Sequence, residues 1–82
     1  MATNYFKVRI IEKGKERNYD YYNSPWMAVG FAQGYAQCLA EECNIQMMTP
    51  HVPQLDGYHW WSNDENVEIQ VLDSNNEPFT GQ

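Results

Sequence analysis

Cys38, Cys43, His51 and His59 have the widest chemical repertoire of any side chains in this chain. Together they are the ingredients of a zinc site, because thiolate and imidazole are the ligands zinc prefers. Four, seven and seven residues separate them in order. Zinc sites usually begin with a close pair on a tight turn. Cys38 and Cys43 fall instead in a helical pattern, where they stand about 140° apart around the axis. That divergence argues against a shared metal and against a disulfide between them. A cysteine nucleophile with His51 or His59 as base needs nearby positive charge to lower the thiol pKa, and no Lys or Arg follows Arg17. The expectation is no metal, no cofactor, and buried free thiols in a reducing compartment.

Asp64, Glu65 and Glu68 come next. Clustered carboxylates can serve as paired general acid and base, and with Asn63 and Asn66 they offer oxygen ligands to calcium, though without the alternating spacing of an EF-hand loop. A turn over residues 62–66 accounts for them without chemistry, since Asn and Asp side chains bond to turn backbones. The chain is therefore expected not to be an enzyme. Lys7, Arg9, Lys15 and Arg17, with Tyr5 and Tyr22 nearby, have the composition of a groove for single-stranded nucleic acid. Nine carboxylates lie beyond them in a stretch with no base, a field that opposes a polyanion. Direct nucleic-acid binding is not expected.

The elements that position these residues are legible from periodicity. Residues 5–11 alternate apolar and basic side chains, as a strand with one dry face does, so Phe6, Val8 and Ile10 point inward. Residues 16–23 alternate again after Lys13-Gly14, which predicts a hairpin. A two-residue turn pairs Phe6 with Tyr21, Val8 with Tyr19 and Lys7 with Asp20, with aromatics on the core side. Lysine is an unusual residue for the left-handed first position of such a turn. Ser24-Pro25 opens a helix that runs to about Cys43, with Ser24 as N-cap and Asn44 as C-terminal cap. Val29, Ala32, Ala36, Leu39 and Cys43 form its core stripe, flanked by Ala28 and Tyr35. Residues 45–57, with Pro50 and Pro53, read as a loop. Residues 57–61 read as a short aromatic strand, and Val67, Ile69 and Val71 as the inward face of a last strand.

The whole is one domain over residues 1–82, with flexible ends at about 1–4 and 74–82, where the composition leaves little to bury. An apolar content of 43%, with 15% aromatic, is enough for a core despite the acidity. The fold class is α+β: an antiparallel sheet of three to four strands with one main helix on a face, in the order ββαββ. The N-terminus is strand-like and lacks a secretory leader pattern, which points to a cytoplasmic protein.

Two surfaces remain to be explained. Twenty residues from Tyr21 to Ala40 carry no charge, and the helix side away from the core stripe presents Trp26, Met27, Gly30, Phe31, Gly34 and Cys38. A one-sided surface helix normally shows Lys and Glu there. Either residues 45–57, with Met47, Met48, Val52 and Leu55, fold back over this side, or a second copy pairs with it through Trp26, Met27, Phe31 and Gly34. A membrane is excluded by the polar interruptions. The second surface is acidic and aromatic. Residues 1–17 hold all five bases against Glu12 and Glu16, and the remainder is purely acidic, for a net charge of −6. Adjacent strand residues face opposite ways, so only one of Trp60 and Trp61 can enter the core. Asp56, Tyr58, Trp60, Trp61, Asp64, Glu65 and Glu68 form the expected binding set for a basic protein surface, with a tryptophan as anchor.

In size and charge the chain is similar to small acidic proteins that occupy nucleic-acid sites on their targets, among them anti-restriction and anti-CRISPR proteins of phages. The similarity is one of composition and implies an inhibitor that docks on a nucleic-acid-binding surface. A self-associating scaffold domain and an aromatic pocket for a small ligand are the alternatives.

Overall fold

The computed structural model describes residues 5–49 and 57–81. Its elements are β1 (Tyr5–Glu12), β2 (Lys15–Tyr22), α1 (Pro25–Glu42), β3 (His59–Ser62) and β4 (Val67–Leu72). The strands form one antiparallel sheet in the order β2-β1-β4-β3, with α1 across one face. This is an α+β fold with the ββαββ order that the periodicity predicts.

The first hairpin has the expected register, with Phe6 opposite Tyr21, Lys7 opposite Asp20 and Val8 opposite Tyr19. Lys13 and Gly14 sit at φ 51° and 83°, the left-handed pair that matches the twist of a two-residue hairpin. Lysine occupies this position in spite of its steric cost. Its N–H donates to the Asn66 carbonyl at 3.1 Å, tying the turn to the one between β3 and β4.

The core lies between α1 and the sheet. Val8 and Ile10 of β1 and Ile69 and Val71 of β4 are fully buried beneath Ala28, Val29, Ala32, Ala36 and Leu39. The small residues of the helix stripe let its backbone approach the branched residues of the sheet. Near the turn that joins β1 to β2, the Tyr35 hydroxyl donates to the Glu12 carboxylate, and Arg17 Nη2 donates to Glu12 Oε1 and to the Tyr35 oxygen, each at 2.6 Å. These bonds hold the helix over the hairpin.

Several local expectations are corrected. Ser24 precedes the helix, but its hydroxyl makes no capping bond; only its carbonyl accepts, from Ala28 N–H at 3.1 Å. Cys43 leaves the core stripe because the helix stops at Glu42. Asn44 adopts φ 55°, and Ile45 N–H turns back to the Leu39 carbonyl at 3.0 Å, a left-handed helix end. Both thiols are exposed rather than buried. Cys38 donates to a Glu42 carboxylate oxygen at 3.1 Å, and that bond holds its pKa above the ordinary thiol value.

The tail also departs from the expectation that it has little to bury. Phe79 is only 8% exposed and packs among Phe6, Trp26 and Tyr58. Its N–H donates to the Val71 carbonyl at 3.0 Å and its carbonyl accepts from Tyr58 N–H at 3.2 Å. Gly57, at φ 88°, permits this course, since a Cβ there would stand 2.7 Å from Pro78 Cβ.

Candidate functional site

α1 covers one side of the sheet; among the described residues the other side is open apart from the end where Leu72 is buried beside Pro78. Alternation places Tyr5, Lys7, Arg9 and Ile11 of β1 there, with Glu68 and Gln70 of β4 and His59 and Trp61 of β3. Glu68 lies between Ile11 and Trp61, and Gln70 between Arg9 and His59.

The expected binding residues divide between locations. Trp61 and Glu68 are cross-strand neighbours on the open face. Asp64 and Glu65 are exposed in the turn at its end. Trp60 points the other way, against the core, where it shares a shallow cleft with Gln33, Ala36 and Met47. Tyr58 lies at the opposite end of the sheet, stacked on Phe79 with ring centroids 5.8 Å apart. Asp56 lies outside the described residues. The two tryptophans thus face opposite sides of the sheet, as strand geometry requires, and both are half-buried, Trp60 against the core and Trp61 against His59.

His59 belongs with Trp61. The two rings stack at 4.8 Å with planes 27° apart, and the parity of positions 59 and 61 in one strand is the signal that joins them. Trp61, His59, Glu68, Asn63, Asn66 and Ile11 line a cleft of about 510 Å³ that also reaches Gly14. None of its lining residues is a Lys or Arg. Glu68 is 44% exposed, and its one ion-pair neighbour among the described residues is His59, with Nε2 3.9 Å from Oε1. Burial lowers the His59 pKa, and the Glu68 charge opposes that shift without overcoming it. At neutral pH His59 is uncharged and Glu68 keeps an unneutralised charge.

Charge over the rest of the molecule is less divided than the linear order implies. Arg9 pairs with Glu16 at 3.1 Å and Arg17 with Glu12 at 2.6 Å. Lys7 reaches Asn76 Oδ1 at 2.9 Å rather than Asp20, its partner in the register. Lys13 lies beside the acidic turn and lines one cleft with Glu65. The sheet order causes this by bringing β1 against β4.

On the helix, Trp26 and Met27 are 59% and 65% exposed, and a Cβ at Gly30 or Gly34 would meet no atom within 4 Å. Phe31 does not share that surface. It is partly buried against Tyr19, Tyr21 and Tyr35, because Tyr19 and Tyr21 stand on the helix side of β2, opposite Val8 and Phe6. Met47 packs on the core, and Met48 exchanges backbone bonds with Trp61 at 2.6 and 3.0 Å, extending the β3 edge. Val52, Leu55, Pro50, Pro53 and His51 lie outside the described residues.

Among the described residues no three His, Cys, Asp or Glu side chains gather as a metal site requires, and no helix is long and apolar enough to cross a membrane. No protein-family model, curated protein sequence or solved structure matches the chain.

Proposed function

We propose that this chain is a small non-enzymatic protein-binding module that docks its open sheet face on a basic surface of a target protein. The observation that carries this reading is the placement of Trp61 beside Glu68, uncovered by the helix and next to the turn bearing Asp64 and Glu65. Aromatic anchors bordered by charge are where binding energy concentrates in protein interfaces, and an acidic rim speeds approach to a basic partner. Basic surfaces of this kind commonly hold DNA or RNA, so occupancy by this protein would inhibit its target. Two exposed thiols without a disulfide fit the reducing cytoplasm.

Affinity capture from the native host tests the reading, run beside a variant with Asp64→Asn, Glu65→Gln and Glu68→Gln. The expected result is a partner retained by the native chain and lost to the variant, with a Kd that weakens as salt rises. Equal retention by both chains, or a Kd indifferent to salt, would refute it.

A second reading is self-association through the outer side of α1, favoured by the exposure of Trp26 and Met27 beside the open Gly30 and Gly34. Two acidic chains could meet there without opposing charges, since that side carries none before Glu41. Sedimentation at high concentration should then show a dimer that Met27→Glu dissolves. A native chain that remains monomeric removes this reading.

A further inference from the structure

The cleft beside Trp61 permits a more specific inference, which rests on the docking function proposed above. We propose that it receives one arginine side chain of the partner, its guanidinium lying over the Trp61 indole and paired with the Glu68 carboxylate. An indole platform attracts a cation through its quadrupole, and Glu68 holds a charge that no Lys or Arg in the lining neutralises. Asn63 and Asn66 offer amide oxygens, while Ile11 and Val67 present apolar surface for the methylene stem. A phosphate or carboxylate ligand finds no cation here. Arginine suits the cleft better than lysine because its planar group can stack and donate at the same time.

His59 makes this site sensitive to pH. Its Nε2 is buried without a hydrogen-bond partner and stands 3.9 Å from Glu68 Oε1. The groups that face it are Glu68 and Gln70 from β4 and Trp61 from its own strand, with Arg9 beyond Gln70. Protonated His59 would neutralise Glu68 and place a cation against Trp61, the two contributions assigned to the incoming arginine. Arginine binding therefore weakens as pH falls below the ordinary histidine value of 6.5, because the shift of His59 is downward.

The test titrates the full chain with N-acetyl-arginine amide while the indole N–H signals are followed by NMR, the Trp61 signal being identified with Trp61→Phe. The expected result is a saturable shift of the Trp61 signal that the citrulline analogue, uncharged and of the same shape, does not produce. Glu68→Gln should weaken binding about fivefold. In His59→Asn, compared with its own affinity at neutral pH, the weakening seen at about pH 5 in the native chain should disappear. An equal response to citrulline, an unchanged affinity in Glu68→Gln, or no response to arginine overturns the site. Capture of a basic partner that stays salt-sensitive while the arginine probe has no effect removes the arginine site alone; capture indifferent to salt and to the acidic variant removes the docking function itself.

Discussion

Replacing Phe79 with alanine should lower the unfolding free energy by about 3 to 4 kcal/mol, the usual cost of removing a buried phenylalanine ring. Its ring fills the end of the core, edge-on to Phe6 at 5.1 Å and to Trp26 at 5.6 Å and stacked on Tyr58 at 5.8 Å. No other side chain of the tail is buried among the described residues, so no other tail residue takes its place in the core. A chain ending at Asp73 should lose at least as much, because it also gives up the backbone bonds of Phe79 to Val71 and Tyr58. Urea denaturation followed by tryptophan fluorescence measures both. For a domain with a total stability of about 5 to 15 kcal/mol, the shift in midpoint is large. A midpoint unchanged in both chains would show that the tail is not seated in the core.

The second large effect belongs to Ile10→Ala, expected to cost about 3 kcal/mol. Ile10 is fully buried on β1, directly opposite Ile69 of β4. It stands at the inner seam of the sheet beneath α1, where a void cannot be filled without separating β1 from β4. Ile10→Val should cost only about 1 kcal/mol, because it removes one methylene and keeps the β-branch. Tyr22→Ala provides the contrast: this side chain is 62% exposed at the end of the edge strand, and its loss should change stability by about 0.5 kcal/mol or less. The three variants compared in urea separate core packing from surface aromatic content. Equal losses for Ile10→Ala and Tyr22→Ala would contradict the core described for this fold.

What could be read from the sequence was local. The first hairpin was legible because two alternating runs and a two-residue turn leave few registers that keep Phe6 and Val8 on the dry side. The helix was legible because its small apolar residues recur at helical spacing between Pro25 and Asn44. Sheet order was not legible: nothing in the alternation of β4 says that it pairs with β1. That one pairing sets Glu68 beside Ile11 and brings Lys13 against the acidic turn. Phe79 was missed for a related reason. A single aromatic among Asn, Pro and Gly has no period, and only the position of Val71 and Tyr58 in space shows where it lodges. The site was half legible, since parity separates Trp60 from Trp61, while the cleft around Trp61 depends on Ile11 and Gly14, contributed by the other end of the chain.

The pairing of β1 with β4 has one more consequence. The first and last strands of this protein are the inner two of its sheet, so each hairpin alone exposes the side of its inner strand that the other hairpin completes. A fragment ending after α1 and a fragment beginning before β3 are thus complementary pieces, each marginal by itself. Mixed together, they have one seam along which to zip, from Lys7 opposite Leu72 to Glu12 opposite Val67. In the intact chain the same seam joins residues far apart in sequence, so loop entropy opposes its closure.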